Sequence, residues 1–410
     1  MGSELKAQYL ITSVPVVSQP PVLKPGEWCD SIDIGSVEYM DDIVQPIFCN
    51  SGGIVDKLAA TASVYHEVLQ RYALEVNFAK GKSEAVVAFR GVGSKAEERR
   101  LYHEQEGLVR LCGTAAGKSL TVVRDYKHLG TRVDVAASLH PDLSSKLQAM
   151  HSVLKSLKGR LFNNKLVEEK SKAIIARGLL FAKGLHAAGT WPELQAKEAT
   201  RLHVAVCRVY RAIAGVGKEN VATLQLLAEK GFTIPILLVR QARLSLLSRV
   251  ARRAPCRLVH LLWLAKGGPR SWLKAVQADV TAFALDAKFA GLAGDSAESA
   301  WLAAADAPAV FRRACVKTMH APIVMERAIV ESRKLKGDVL RILVFLAMFV
   351  RKALRRNRLF PSIHLGPIRL FDRLAVLSMA ASASLVFSFL AVELGTAISA
   401  AIDAVLGGTC

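Results

Sequence analysis

The chain has 410 residues, of which 51% are hydrophobic and 22% are charged, and this composition excludes an intrinsically disordered protein. Its formal net charge of +20 draws it to phosphate backbones or to an anionic membrane surface, and charge alone does not choose between them. The seven cysteines form no close pair, which excludes a zinc-knuckle or disulfide pattern and predicts reduced thiols in an intracellular protein.

The first informative segment is Tyr39-Met40-Asp41-Asp42, where two adjacent carboxylates lie between apolar residues. Val37 and Tyr39 precede the acids and Ile43 and Val44 follow them, which predicts strand, tight turn and strand. Two carboxylates in so small a volume repel each other unless a divalent cation neutralises them, and nucleotidyl transfer uses such a metal site. The alternative is a solvated hairpin turn that contains two aspartates.

Two further segments follow in order. Residues 76–84 read VNFAKGKSE and precede an apolar run, and residues 126–130 read YKHLG. Together with residues 39–42, this set resembles three motifs of the reverse transcriptases of retrotransposons without long terminal repeats. The resemblance covers about residues 37 to 300.

The resemblance implies RNA-directed DNA polymerase chemistry on an RNA or DNA template-primer, and a nuclear location. Asp41 and Asp42 would hold Mg²⁺, and Lys82 would lie near the triphosphate and assist the leaving group. The segment of Tyr126, Lys127 and Gly130 would position the primer. Without the resemblance, Lys82 reads as a solvated lysine and residues 126–130 as a strand followed by a glycine turn.

One departure from the family decides the expected activity. An active polymerase palm needs another aspartate on a strand well upstream, and only 40 residues precede Asp41 here. Asp30 and Asp33 lie too close in sequence to supply it, and prolines interrupt the apolar stretch before them. We therefore expect this chain alone to be inactive as a polymerase.

A second glycine-rich segment is a decoy. Residues 113–119 read GTAAGKS, which is one residue too short for a phosphate-binding P-loop, and residues 120–123 read as a strand. This pattern favours a hairpin loop. Upstream of it, residues 54–74 predict a helix that buries one face, formed by Leu58, Ala62, Tyr65, Leu69 and Tyr72.

After Gly130 the pattern becomes helical. A helix is predicted from Pro141, with leucines on one face and Lys146, Lys155 and Lys158 at other positions. Residues 168–185 and 194–213 predict two more helices. A helical thumb follows the palm in reverse transcriptases, so these lysines would contact phosphates; the alternative is an ordinary solvated helix face.

Farther along, residues 239–257 mix arginines with leucines, and Trp263 and Trp272 flank a Gly-Gly-Pro turn. Arginines near aromatic rings can bind single-stranded nucleic acid, but tryptophans beside such a turn favour core anchors. Residues 282–309 are rich in alanine and predict helix and linker.

The C-terminal region predicts a different partner. Residues 374–392 carry no charge over 19 positions, which is about the length of a transmembrane helix, and basic residues between 351 and 358 precede them. By the positive-inside rule the bulk of the protein would face the cytoplasm. The alternative is a helix buried on all sides in a globular domain.

The predicted fold class is α+β: a partial polymerase palm of antiparallel strands and a helix, followed by a mostly α-helical thumb and extension and a hydrophobic C-terminal helix. The predicted divisions are a linker-like segment (1–36), the partial palm (37–135), the thumb-like region (136–280), the alanine-rich region (281–330) and the basic and hydrophobic tail (331–410). The alternative function is a basic single-pass membrane protein with a vestigial polymerase fold that binds nucleic acid or anionic lipid.

Overall fold

The structure is a computed structural model, and it describes residues 12–16, 18–34, 37–39, 42–128, 130–217, 223–268 and 270–334. Contacts divide the chain into two units, Met1–Arg351 and Lys352–Cys410, and every described residue belongs to the first. The described part is α+β, mostly helical with small sheets, which confirms the predicted class.

Two short hairpins come first. β1 (Thr12–Pro15) pairs antiparallel with β2 (Ser31–Ile34), and β3 (Val37–Tyr39) pairs antiparallel with β4 (Asp42–Val44). The predicted strand–turn–strand at the two aspartates is therefore confirmed at the level of the backbone. Each hairpin forms a two-stranded sheet of its own.

A small α/β layer follows. Helix α1 (Ile54–Arg71) packs on a three-stranded sheet of β5 (Glu84–Val86), β6 (Leu108–Arg110) and β7 (Ser119–Val123), with the short helix α2 (Ser94–Arg99) between the first two strands. The core of this layer contains buried apolar side chains from the helix and the sheet, among them Leu58, Leu101, Val109 and Val122.

Three details of this layer differ from the sequence-based expectation. The helix ends at Arg71 rather than near residue 74, and Tyr72, predicted on the buried face, is 69% exposed because it lies beyond the helix end. The expected purely antiparallel palm is wrong, since β5 pairs parallel with β7. The hairpin with the two aspartates is also not part of this sheet.

The P-loop-like segment is part of a hairpin, as predicted. β6 pairs antiparallel with β7, and a 3₁₀ turn at Gly113–Ala115 lies in the connection between them. A last antiparallel pair, β8 (Asp125–His128) and β9 (Thr131–Asp134), leads into the helices.

The helical region begins with α3 (His140–Leu157), whose Pro141 lies in the first turn, where its missing N–H costs no helical hydrogen bond. The following helices are α4 (Glu169–Ile175), α5 (Ala182–Gly184), α6 (Ala196–Ala214), α7 (Thr223–Lys230), α8 (Pro235–Arg253), α9 (Cys256–Leu264), α10 (Trp272–Phe283), α11 (Ala287–Ala293), α12 (Ala297–Asp306), α13 (Pro308–Thr318) and α14 (Pro322–Lys334). The π-helical segments Lys158–Phe162 and Ala176–Phe181 follow α3 and α4. The predicted helices at residues 168–185 and 194–213 are confirmed.

One hydrophobic core joins these helices, with α8 at its centre. The helix approaches the turn Ala188–Thr190 so closely that a Cβ added at Gly189 would lie 2.8 Å from the Ala242 carbonyl oxygen. Trp272 packs against this core and donates from Nε1 to the Gly189 carbonyl at 2.7 Å. Trp263 packs edge-on against Trp301. Both tryptophans are therefore core anchors, as predicted.

The alanine-rich stretch is wrong as a linker. Helices α11 and α12 lie within it, and Phe289, Ala300 and Trp301 are buried in the helical core. Small side chains allow these short helices to pack closely, so the low complexity reflects close packing rather than an exposed connection.

Among the residues that the structure describes, no helix is both long and apolar enough to cross a bilayer. The predicted transmembrane segment at residues 374–392 lies outside those residues.

Candidate functional site

The aspartate hairpin is the first component of the candidate site. Tyr39 pairs with Asp42 in the β3–β4 ladder, while Asp41 lies outside the described residues, and only the backbone of Asp42 is described. Within the described part of the chain, no group of three or more metal-binding side chains occurs. The structure therefore supplies no side-chain geometry for Mg²⁺ at Asp41 and Asp42, and we derive no step through a metal.

The second component is the loop that carries Lys82. Its backbone is held by short hydrogen bonds: the amide of Ser83 donates to the Asn77 carbonyl at 3.0 Å, and that of Gly81 donates to Glu84 Oε1 at 2.7 Å. The Lys82 side chain is exposed. A fixed backbone thus presents a lysine to solvent.

This loop meets the third component directly. The Tyr126 hydroxyl donates to the Lys82 carbonyl oxygen at 2.9 Å, across 44 positions of sequence. The segments that resemble the second and third reverse transcriptase motifs are therefore adjacent in space. No such contact could be derived from the sequence, because it depends on how β8 lies beside β5.

The β8–β9 hairpin separates its side chains between two faces. Tyr126 and His128 stack with their ring centroids 6.4 Å apart, while Lys127 between them is exposed. Gly130 has a φ of +79°, and a Cβ there would lie 3.4 Å from His186 Cε1. Glycine at this position thus serves both the turn and the close approach of His186.

A buried aspartate that the sequence analysis did not single out connects this hairpin to the helices. Asp142 in the first turn of α3 accepts from the backbone N–H of Arg132 at 2.9 Å through Oδ1. Its Oδ2 accepts from Lys146 Nζ at 2.8 Å and from Trp191 Nε1 at 3.1 Å. The spacing of Asp142 and Lys146, i and i+4 on a helix, is the signal that could have identified the pair.

The prediction that Lys146 faces outward is consequently wrong. Its side chain is 6% exposed, and its ammonium also donates to the His186 carbonyl at 2.7 Å. A charged group in such a position is tolerated because a carboxylate and a carbonyl satisfy it. Lys146 fixes the hairpin to α3 and does not present its charge to a ligand.

The other two predicted lysines are exposed. Lys155 lies one turn after His151 on α3, and Lys158 follows one turn later. On the neighbouring helix α6, Arg208 donates to His151 Nδ1 at 3.3 Å. Arg201 donates to His140 Nδ1 at 2.8 Å, near the start of α3. Together these six residues form the α3–α6 basic face: His140, His151, Lys155, Lys158, Arg201 and Arg208.

This face has an apolar depression beside its cations. A groove of about 300 Å³ between α3 and α6 is lined by Leu147, Leu154 and Val204, with Arg201 and Arg208 at its margin. Cations beside an apolar groove can bind the phosphates of a nucleic acid and the flat surface of a base. The two arginines were missed at the sequence stage of reasoning because they come from a helix other than α3.

Comparison with known proteins adds no relative. No protein-family model, no curated protein and no solved structure matches the chain.

Proposed function

We propose that the chain is a retroelement-derived protein of the reverse transcriptase type that binds an RNA or DNA template-primer and does not extend the primer by itself. The observation that carries the proposal is the hydrogen bond from Tyr126 to the Lys82 carbonyl, because it joins two of the three resembling segments. The antiparallel β3–β4 hairpin at the third segment also supports it.

The binding surface in this proposal combines two exposed parts. Lys82 and Lys127 belong to the loop and hairpin, and the α3–α6 basic face belongs to the helices that follow. The buried contacts of Asp142 hold the β8–β9 hairpin on α3, so these two parts are fixed relative to each other. A phosphate backbone that follows both parts would be held mainly by charge.

The absence of extension follows from the number of carboxylates. Two-metal nucleotidyl transfer requires ligands that clamp both ions, and this chain offers the adjacent pair Asp41 and Asp42 without the upstream aspartate of the family. Binding and chemistry are therefore separable in this protein.

The test is an incorporation assay on a primed RNA template with Mg²⁺, run beside a binding titration of the same template. The expected result is binding without incorporation, both by the wild-type chain and by the Asp41→Asn, Asp42→Asn double variant. Incorporation that disappears in the double variant would show a complete metal site and contradict the inactive assignment. Failure to bind would contradict the proposal as a whole.

A further inference from the structure

A second cavity lies within the helical core, and the reverse transcriptase resemblance assigns no role to it. Its volume is about 680 Å³, and α6, α8, α10 and α14 all contribute to its wall. Four alanines make the space, because their short side chains leave the helices apart: Ala196, Ala199, Ala278 and Ala282. This volume is in the range of small-molecule binding sites.

The floor of the cavity is a buried ion pair. Arg243 and Asp279 are each 2% exposed, and Arg243 Nη1 donates to Asp279 Oδ2. The remaining arms of Arg243 are fixed too, with Nε donating to the Trp191 carbonyl and Nη2 to the Pro192 carbonyl, each at 3.0 Å. This arginine is a rigid part of the protein.

A second guanidinium shares the same carboxylate. Arg240 Nε lies 3.4 Å from Asp279 Oδ1, so Asp279 holds Arg240 in position at the cavity wall. Arg327 on α14 and Glu193 complete the charged lining. The wall thus carries three guanidinium groups and two carboxylates, with His203 beside them.

We propose that this cavity binds a small organic anion whose phosphate or carboxylate head group lies at Arg240 and Arg327 and whose apolar body lies against the alanines. The excess of positive charge selects an anion, and the planar fork of a guanidinium matches two oxygens of either head group. Asp279 positions Arg240 before the ligand arrives, which lowers the cost of ordering it.

Three probes with the same ring test this assignment by calorimetry on the full chain: naphthyl phosphate, naphthoate and naphthol. The phosphate and the carboxylate distinguish the two possible head groups, and naphthol measures what the apolar body contributes alone. We expect at least one anion to bind about tenfold or more tightly than naphthol, since hydrogen bonds to charged groups contribute about 1.5–3 kcal/mol.

Two variants locate the site. Arg327→Met should weaken binding of the anion about tenfold and leave naphthol binding unchanged. Its matched control is Arg313→Met on α13, an exposed arginine that does not line the cavity, and this variant should bind like the wild type. Ala199→Leu should fill the cavity and prevent binding of all three probes, with circular dichroism confirming that the helices remain folded.

The proposal is overturned by any one of three results. These are an absence of binding by both anions at millimolar concentration, equal affinity for naphthol and the anions, and anion binding that Arg327→Met leaves unchanged. None of them bears on the template-primer proposal, because the cavity and the α3–α6 basic face use different cations.

Discussion

Replacing Lys146 with methionine should destabilise the protein without weakening nucleic-acid binding. The substitution leaves the Asp142 carboxylate, which is 6% exposed, without its counter-charge. Breaking a buried ion pair in this way costs about 3–5 kcal/mol. Because Arg132 N–H and Trp191 Nε1 still donate to Asp142, we expect a loss near the lower limit, about 3 kcal/mol.

Lys155→Met is the matched control, since it makes the same change on the same helix at an exposed position. Its effect on stability should stay within about 0.5 kcal/mol, and it should weaken template binding instead. Urea unfolding followed by circular dichroism measures the difference, which corresponds to about 1 M in midpoint for a slope of about 3 kcal/mol/M.

A second substitution checks the cause of the loss. In the Lys146→Met background, Asp142→Asn removes the uncompensated charge and keeps an acceptor for Arg132, so it should restore part of the stability. The reasoning is refuted if Lys146→Met destabilises no more than Lys155→Met, or if Asp142→Asn lowers the stability of the single variant further.

The remaining predictions concern separate features. Tyr126→Phe removes the hydrogen bond to the Lys82 carbonyl, so the free energy of unfolding should fall by about 1 kcal/mol and trypsin should cleave after Lys82 faster; unchanged cleavage would contradict the role of this contact. Gly130→Ala should cost about 1 kcal/mol in urea unfolding because of its φ of +79°, whereas Gly159→Ala, in open space without a positive φ, should not destabilise. Burial raises the pKa of the Cys315 thiol to about 12, so at pH 8 iodoacetamide should alkylate the exposed Cys112 and spare Cys315 until urea is added; equal rates in the native protein would contradict this. If residues 374–392 span a bilayer, membrane association in cells should resist alkaline carbonate and disappear when they are deleted; extraction of the intact chain by carbonate would contradict the predicted span.

Periodicity predicted the long elements well. Helix α3 was predicted from Pro141 and from leucines at helical spacing, and the structure buries Leu143, Leu147 and Leu154 as expected. The aspartate hairpin was also predicted, because alternating apolar residues around a polar turn have few other conformations. These features depend on local sequence alone.

Features that depend on tertiary contacts were missed or misassigned. Lys146 occupies a helix position that reads as polar, and only the approach of Trp191 and His186 shows that it is buried. The contribution of α6 to the basic face required knowing which helix lies beside α3. Alanine content alone does not distinguish a linker from the tightly packed helices α11 and α12.

Template binding through the α3–α6 basic face is the central claim, and one titration tests it most directly. A labelled primed RNA template is titrated with the wild-type chain, with Lys155→Met, Lys158→Met, and with a control that loses the same charge elsewhere, Lys288→Met, Arg313→Met. All four positions are exposed. We predict that only the first variant binds several-fold more weakly and loses about two units of salt dependence, at about 0.9 per phosphate contact. Equal weakening in both variants would mean that net charge alone attracts the nucleic acid, and the claim would be wrong.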